Sequence, residues 1–391
     1  MKSTLNSSLN TATRLCCRIC GQAFFDQPLL RYQNMPATAQ GFPTEDTLHQ
    51  DHGADVEVCQ CASCGLVQLN NAPVPYYREV IRAAGFSEEM KEFRRMQFRE
   101  WVDKYTLFGK KVLEIGCGRG EYLGLLQEVR VNAFGVEYAE ASVDFCRKQG
   151  LSVSRGFPDE KTDMFLPQAP FDAFVCLNFM EHWPNPNATL QGIGDHLSEG
   201  AIGLVEVPNF DMILDKGLFS EFISDHLLYF TQDTLSFTLQ RNGFEVLDCQ
   251  PVWHYYILSA VVKKRTRTNL AHFDNYRTRI TTELHAFIAR FPAGKVAIWG
   301  AGHQALAVIA LANLGNNIRY VIDSAPFKQG KYTPATHLPI VSPATLLSNP
   351  VEAVIVMAAS YSDEVAHTLR SHYPNTLKVA ILRDFGLEEI T

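Results

Sequence analysis

The chain has 391 residues, of which 46% are hydrophobic and 20% charged, and its formal net charge is −7. At about 100–200 residues per domain this length predicts two to four domains, and the composition excludes collagen-like, wholly disordered and coiled-coil proteins. The acidic balance argues against nucleic acid as a partner, and no apolar run reaches the ~18–20 residues of a membrane span. The first fifteen residues, rich in Ser, Thr and Asn, lack a signal-peptide pattern, so we expect a soluble cytoplasmic protein.

Cysteines are concentrated near the N-terminus, where six of the ten fall within the first 64 residues. Two C-x-x-C pairs, each followed by glycine, provide four candidate ligands: Cys17, Cys20, Cys61 and Cys64. Four thiolates match the tetrahedral preference of zinc and leave no open position, which predicts a structural zinc site in a small lobe over residues 1–75. The alternatives are redox or merely buried cysteines, and ligation by Cys16 or Cys59 in place of a neighbour.

The segment after the lobe predicts a long amphipathic helix over residues 86–102 that leads into the next domain, with Ser87 as its cap. Apolar side chains at helical spacing share one face: Met90, Phe93, Phe98, Trp101 and Val102. We interpret this aromatic stripe as part of a core rather than as a ligand site.

A strand that ends in a glycine-rich loop is the most informative pattern in the chain. Residues 112–115 predict the strand, and a helical pattern follows the loop. The loop contains Gly116, Gly118 and Gly120. Such glycines let the backbone approach a ligand closely at the carboxyl end of the strand. Glu137 ends the next predicted strand, 21 positions after Gly116, where its carboxylate can accept both hydroxyls of a ribose.

Two further strands are predicted over residues 171–178 and 203–208, with helical patterns between the strands. This alternation is typical of an α/β fold with a doubly wound parallel sheet. The glycine loop is therefore expected at the edge of the sheet where such folds bind ligands.

Two cofactors compete for this loop, a dinucleotide and S-adenosylmethionine. A dinucleotide site favours a glycine at position 121, where the pyrophosphate meets the helix start, but this chain has Glu121, whose charge would repel phosphate. A sulfonium cofactor has no phosphate and carries an amino-acid tail, so acidic residues such as Glu114 and Glu137 suit it. We therefore predict S-adenosylmethionine, with Asn178 and His182 as further polar residues near the methyl donor.

The order of several motifs along the chain resembles that of the sugar C-methyltransferases, which act on nucleotide-linked keto-sugars in deoxysugar biosynthesis. The resemblance rests on the two C-x-x-C pairs and on residues 114–120, 179–182, 296–302, 321–324, 328–331 and 338–340. It covers nearly the whole chain and implies a zinc-binding lobe (1–75), a class I Rossmann-like methyltransferase domain with its leading helix (76–264) and a second Rossmann-like domain (265–391). It also implies a nucleotide-sugar substrate, whereas the sequence carries no signal for an oligomeric state.

The resemblance implies a catalytic segment with the pattern Tyr-His-Glu-His-x-x-Tyr-Phe, which corresponds to residues 223–230 of this chain. His226 and Tyr229 match this pattern. Asp225 stands where the family has glutamate, and Ile223 stands where it has the first tyrosine. The expected catalytic residues of this segment are therefore His226, Asp225 and Tyr229.

Methylation of carbon beside a ketone needs a base to remove the α-proton and hydrogen-bond donors to hold the enolate. His226 is the candidate base, because imidazole titrates near pH ~6.5, and the alternative is a structural histidine in a loop. The resemblance places Tyr76 and Glu79 over the site from the N-terminal side. Nothing in the sequence distinguishes Tyr76 from Tyr77 in this role.

Departures from the family pattern keep other functions open. Residues 254–259 stand where the family often has a His-Gly-Gly-Ser run. His182 and Glu181 have an alternative role, which is to organise the start of the helix after the strand predicted over residues 171–178. The alternatives are an O- or N-methyltransferase that acts on another sugar or small metabolite, and a non-catalytic scaffold that binds S-adenosylmethionine.

The last third of the chain repeats the pattern of strand, glycine turn and helix over residues 296–305, and Asp323 ends the next strand 21 residues after Gly302. The resemblance implies that this domain holds the nucleotide of the substrate. The candidate substrate-binding residues are Gly300, Gly302, Lys328 and Lys331. A redox NAD site and a purely structural domain are the alternatives, and the charged residues 263–267 predict a solvated linker.

Overall fold

The computed structural model describes residues 16–79, 87–159 and 166–390. The first fifteen residues and residue 86, the predicted start of the amphipathic helix, lie outside the described residues. The chain divides into two compact units, Met1–Arg267 and Thr268–Thr391, so the boundary follows the charged segment that predicts a linker. The cysteine-rich lobe belongs to the first unit, and the division into three domains stays a prediction.

The first unit alternates strands and helices after an N-terminal lobe. In chain order its strands are β1 (Leu30–Met35), β2 (Ala54–Gln60), β3 (Val67–Leu69), β4 (Lys111–Ile115), β5 (Asn132–Glu137), β6 (Val153–Arg155), β7 (Phe171–Leu177), β8 (Leu197–Pro208), β9 (Leu228–Tyr229), β10 (Phe244–Val252) and β11 (Ile257–Lys264). Its helices are α1 (Glu88–Tyr105), α2 (Glu121–Glu128), α3 (Glu140–Lys148), α4 (Pro186–Asp195), α5 (Phe210–Lys216) and α6 (Gln232–Arg241).

The large sheet of this unit has the strand order β10–β11–β8–β7–β4–β5–β6. Strands β4 to β8 pair in parallel, whereas β11 is antiparallel to both β8 and β10. This is the order of class I Rossmann-like methyltransferases, and the predicted α/β fold class is confirmed. The inner strands are buried on both faces, which explains why β7 is almost continuously apolar. Ligands of such folds bind at the carboxyl ends of the strands, where the connections on the two sides of β4 diverge.

A smaller antiparallel sheet in the lobe has the order β1–β2–β3–β9. Its last strand comes from the predicted catalytic segment, and the register pairs Val67 with Tyr229 and Gln68 with Leu228. Alternating buried residues of β2, such as Val56 and Val58, face the same core as the large sheet. The lobe therefore holds the predicted catalytic segment through backbone pairing.

Helix α1 begins as predicted, because the Ser87 hydroxyl accepts a hydrogen bond from the Met90 N–H at 3.1 Å. Phe98, Trp101 and Val102 are buried along its inner face. The sequence did not predict that Arg94 would also be buried. Its guanidinium forms an ion pair with Glu206 of β8, so a charge pair lies within the apolar face.

The second unit contains another sheet flanked by helices. Its strands are β12 (Val296–Trp299), β13 (Val321–Ile322), β14 (Ile340–Val341), β15 (Ala353–Val356), β16 (Lys378–Leu382) and β17 (Leu387–Ile390). Its helices are α7 (Ala271–Ile288), α8 (His303–Leu311), α9 (Thr345–Ser348) and α10 (Ser362–His372). The order is β14–β13–β12–β15–β16–β17, in which the last strand alone is antiparallel to its neighbour, and this confirms the predicted Rossmann-like character. Within the part of the chain that the structure describes, no helix has both the length and the apolarity to cross a membrane.

Candidate active site and cysteine cluster

The glycine-rich loop follows β4 at the carboxyl edge of the large sheet. Gly116, Gly118 and Gly120 have φ angles of +68°, +55° and +82°, in the left-handed region that favours glycine. A Cβ at Gly116 would lie 2.7 Å from the Phe179 ring, and a Cβ at Gly120 would overlap the Leu151 side chain. At Gly118 the nearest heavy atom would be 3.9 Å away. Packing therefore requires two of these glycines, whereas Gly118 borders open space that a ligand can use.

Polar groups flank this loop at the ends of the neighbouring strands. The carboxylate of Glu137 accepts hydrogen bonds of 2.9 Å from the backbone N–H groups of Gly118 and Ala139, and burial raises its pKa. Asn178 follows β7 with a φ of +51°, and its buried Oδ1 has no hydrogen-bond partner among the described residues. Glu114 is buried one position before the end of β4. A carboxylate for a ribose and an acceptor for an amino group fit S-adenosylmethionine.

The predicted catalytic segment lies against the turn that follows β7. His182 Nδ1 lies 2.7 Å from the backbone oxygen of Asp225, so Nδ1 carries the proton and Nε2 is an acceptor. The ring centroids of His182 and His226 are 4.8 Å apart, and the two rings meet edge to face. His182 and Asp225 are buried, whereas His226 is only half-buried. Of these two imidazoles, His226 is the one that a substrate can reach.

Both imidazoles are held in the neutral form. Burial, together with the neighbouring His182, lowers the pKa of His226 to about 3. Burial also lowers the pKa of His182. Near neutral pH each ring therefore has an unprotonated nitrogen, which is the state that a proton acceptor requires.

Asp225 is tied to the N-terminal part of the chain. Its carboxylate oxygens lie 2.9 and 3.0 Å from the Tyr76 hydroxyl, which donates, and the Ala39 N–H donates to the same carboxylate at 2.9 Å. Burial and this carboxylate raise the pKa of Tyr76. The Tyr77 ring packs instead edge-on against Phe157, with centroids 5.8 Å apart. Of the two candidate tyrosines, the structure brings Tyr76 to Asp225.

Two other predicted catalytic residues lie elsewhere. Tyr229 is 4% exposed, and its hydroxyl accepts from the Ile223 N–H and donates to the Glu221 carbonyl, both at 3.2 Å. It fixes the conformation of the segment from inside and does not face open space. Glu79 is exposed, and its charge helps to raise the pKa of Glu137, so it lies on the side of the predicted ribose site.

The structure brings the four cysteines predicted to bind zinc together. We call this group the cysteine cluster: Cys17, Cys20, Cys61 and Cys64. Cys17 Sγ lies 3.6 Å from Cys64 Sγ. Cys20 Sγ lies 3.4 Å from Cys61 Sγ. A tetrahedral ion with Zn–S bonds of ~2.3 Å places its sulfurs about 3.8 Å apart, so the cluster fits zinc. Gln68 Nε2 donates to Cys17 Sγ at 3.3 Å, while Cys16 is exposed and Cys59 lies within β2 outside the cluster.

Comparison with known proteins also indicates a methyltransferase. Residues 90–248 match the family model of a methyltransferase domain, and residues 260–379 match that of a C-methyltransferase C-terminal domain. The chain is 22% identical over 384 residues to the C-methyltransferase NovU of Streptomyces niveus, which covers 89% of this chain and 90% of that protein. The chain is an S-adenosylmethionine-dependent methyltransferase. Along the chain, the match to a methyltransferase domain is followed by the match to a C-methyltransferase C-terminal domain, in the expected order.

Other relatives match the methyltransferase over shorter stretches. The ubiquinone biosynthesis O-methyltransferase of Idiomarina loihiensis is 34% identical over 106 residues, which are 26% of this chain and 44% of that protein. A solved S-adenosylmethionine-dependent methyltransferase from Clostridium acetobutylicum aligns with 46% of this chain and 96% of its own, at 13% identity and a TM-score of 0.37. The fold of this methyltransferase is assigned from its own strand order.

The glycine turn of the second unit has two distinct glycines. Gly300, with a φ of +117°, ends β12, and a Cβ there would lie 2.5 Å from the Met357 carbonyl oxygen, so close packing explains it. Gly302 caps the start of α8 and borders open space, since no heavy atom lies within 4 Å of the position of its Cβ.

An acidic residue of the methyltransferase, Asp323, binds the backbone of this glycine turn. The Asp323 carboxylate accepts hydrogen bonds from two backbone N–H groups at 2.8 and 2.9 Å, and Lys328 Nζ lies 2.9 Å away. The lysine and the backbone bonds lower its pKa, although burial opposes them. Lys328 is thus committed to an ion pair in this structure, whereas Lys331 is exposed. Of the two lysines predicted to meet phosphate, Lys331 has its ammonium in solvent.

Two polar residues that were not predicted to be catalytic interact with each other at this site. Glu181 is 2% exposed, and burial raises its pKa to about 8. Tyr256 lies in the turn between β10 and β11, and its hydroxyl donates to Glu221 at 3.1 Å. Burial and the charges of Glu221 and Glu181 raise the pKa of Tyr256 to about 12. Glu181 has one sequence signal, its position within the motif at residues 179–182, whereas Tyr256 falls in the segment 254–259 that departs from the family pattern.

Proposed function

We propose that this methyltransferase methylates the carbon beside the ketone of a nucleotide-linked keto-deoxysugar, and that His226 is the base. The observation that carries the proposal is a neutral imidazole, half-buried, backed by buried His182 and next to Asp225. The class of substrate is the one that the resemblance of the motifs implies, and the similarity to a C-methyltransferase over 89% of the chain supports methyl transfer to carbon. The carboxyl-terminal family model, which is that of C-methyltransferases, supports carbon as the acceptor.

The residues suit removal of a proton next to a carbonyl group. A ring nitrogen of His226 takes the α-proton, and the C–H electron pair becomes part of an enolate. Tyr76 and Asp225 form a hydrogen-bonded pair of polar groups beside this histidine. Tyr229 holds the segment in place from below through its two backbone hydrogen bonds.

The methyl donor is proposed to lie along the glycine loop. Glu137 would accept the ribose hydroxyls, and Asn178 Oδ1 would accept an N–H from the amino-acid tail. Glu114 and the backbone at Gly118 complete this binding surface. S-adenosylmethionine supplies an electrophilic methyl group bound to a sulfonium. His182, predicted to bind the cofactor, is assigned instead to the base cluster, because its Nε2 lies 3.8 Å from Glu181 Oε1.

We propose zinc for the cysteine cluster and a nucleotide for the glycine turn of the second unit. The zinc is structural, since four thiolates fill its coordination and leave no open position. In the second unit, the backbone at Gly302 would approach the nucleotide, and the exposed Lys331 would neutralise phosphate.

The function is tested by mass spectrometry of nucleotide keto-sugars incubated with the enzyme and S-adenosylmethionine in deuterated water. We expect one product to gain a methyl group, and the carbon beside the ketone to exchange with solvent. His226→Asn should abolish both the methyl gain and the solvent exchange. The matched control is His367→Asn, at an exposed histidine, which should retain both. Methyl gain without exchange would indicate an oxygen or nitrogen acceptor, and cofactor binding without any methyl gain would favour a scaffold.

A further inference from the structure

A buried carboxyl group lies directly behind the proposed base. Glu181 is in the short turn Met180–His182 after β7, and it is 2% exposed. Its Oε1 lies 3.8 Å from His182 Nε2, and its Oε2 has no hydrogen-bond partner in the part of the chain described. One carboxylate oxygen of Glu181 and one ring nitrogen each of His182 and His226 all lie within 4.8 Å of one another. A buried carboxyl oxygen without a partner is costly, which calls for an explanation in function.

When His226 takes a proton from the substrate, a positive charge forms in a largely buried place. An uncompensated buried charge is expensive, and a carboxylate a few ångströms away reduces this cost. Asp225 is the other nearby carboxylate, but the Tyr76 hydroxyl and the Ala39 N–H already donate to it. Glu181 Oε2 has no such donor among the described residues, and the other oxygen, Oε1, faces the acceptor nitrogen of His182.

We propose that Glu181 is a positioning residue whose ionised carboxylate stabilises the imidazolium formed at His226 when the α-proton is removed. This inference rests on the proposed function, because it requires His226 to be the base. The proton moves from the substrate carbon to the His226 nitrogen, and the electron pair stays on the enolate. The imidazolium and the carboxylate together form a neutral pair.

Several titratable groups surround Glu181. His182 belongs to its own turn, His226 lies close to it in the predicted catalytic segment, and Cys176 comes from β7. Asp225 contacts His182 through its backbone oxygen, 2.7 Å from Nδ1. Tyr256 approaches from the turn between β10 and β11. Burial keeps the Cys176 thiol and the Tyr256 phenol protonated near neutral pH, since their pKa values are raised. Cys176 and Tyr256 therefore stay neutral while His226 takes up the proton, and the ionised Glu181 supplies the compensating negative charge.

The pH profile of the enzyme should report this carboxylate. Burial raises the pKa of Glu181 to about 8, so the ionised form becomes more populated as the pH rises towards that value. We expect kcat/KM of the wild type to rise with pH along a limb that ends near pH 8. His226 does not produce this limb, because its pKa is lowered to about 3 and it stays neutral throughout.

The experiment measures kcat and KM against pH for the wild type and for Glu181→Gln, Glu181→Asp and Glu199→Gln. We expect Glu181→Gln to lower kcat by about tenfold or more at pH 8, to leave KM within about twofold and to remove the rising limb. Glu181→Asp should restore part of kcat together with a limb, and the exposed Glu199 should have no effect. S-adenosylmethionine binding by calorimetry confirms that each variant is folded.

Three results would separate the possibilities. A wild-type pH profile in folded Glu181→Gln, with solvent exchange still abolished by His226→Asn, would overturn the role of Glu181 alone. Solvent exchange that persists in His226→Asn would overturn the proposed base as well. Metal analysis distinguishes the remaining case: a second bound metal that is lost in both Glu181→Gln and His226→Asn would make the cluster a metal site and would also overturn the inference.

Discussion

Two glycines of the same loop should respond differently to alanine, and the comparison tests where the methyl donor lies. Both have left-handed φ angles, +55° at Gly118 and +82° at Gly120, so either substitution costs about 1–2 kcal/mol in backbone strain. At Gly120 the new Cβ would also overlap Leu151 Cδ1 and lie 3.2 Å from Cys146 Sγ, which adds about 1–3 kcal/mol of overpacking. Gly118→Ala adds no such clash, because the nearest heavy atom is 3.9 Å away.

The two variants therefore divide stability from binding. Gly120→Ala should lower the free energy of unfolding by about 2–5 kcal/mol, and Gly118→Ala by about 1–2 kcal/mol. The methyl at position 118, however, points into the space where we place the cofactor. We expect it to weaken S-adenosylmethionine binding by about tenfold or more, equivalent to about 1.4 kcal/mol.

Urea unfolding gives the stability of each variant, and isothermal titration calorimetry gives its affinity for S-adenosylmethionine. Measurement of affinity at a temperature where both variants are fully folded removes the contribution of stability. If Gly118→Ala binds S-adenosylmethionine as tightly as the wild type, the cofactor does not pass in front of Gly118, and the assignment of the loop is wrong.

Three further predictions concern the cysteine cluster, the buried ion pair and Glu181. We expect about one zinc per chain by elemental analysis, and chelation should unfold the lobe; lost activity with an intact lobe would contradict a structural role. Arg94→Met leaves Glu206 buried without its cationic partner, although Gln97 still donates to it, and should cost about 3–5 kcal/mol in urea unfolding, whereas the double variant with Glu206→Met should recover most of this loss. Glu181 has its pKa raised from 4.5 to about 8, so the folded state holds a proton that the unfolded state releases between these values, and stability falls as pH rises. The difference in unfolding free energy between the wild type and Glu181→Gln should decline by up to about 1.4 kcal/mol per pH unit between pH 5 and 8, and a flat difference would refute the buried acid.

The sequence predicted the features that depend on local pattern. The strand and loop around Gly116, the Ser87 cap and the grouping of the cysteines follow from residue types at fixed spacing. Strand β8 begins six residues before the predicted strand, at Leu197, because its first residues do not form a continuous apolar run, although Leu197 already pairs with Phe171 of β7.

Features that depend on distant residues could not be predicted in this way. Arg94 meets Glu206 across 112 positions, and no helical pattern distinguishes it from a solvated arginine. The choice of Tyr76 over Tyr77 was equally inaccessible, because it depends on a hydrogen bond to Asp225, 149 positions away. The proximity of Glu181 to His226 likewise depends on how the turn after β7 packs against the predicted catalytic segment.

Carbon as the methyl acceptor is the central claim, and nuclear magnetic resonance tests it most directly. The enzyme would be incubated with a nucleotide keto-sugar and S-adenosylmethionine labelled with carbon-13 in the methyl group. The account predicts a product in which the labelled methyl is bonded directly to the sugar carbon beside the ketone, as shown by through-bond correlations. A labelled methyl bonded to oxygen or nitrogen would contradict the account.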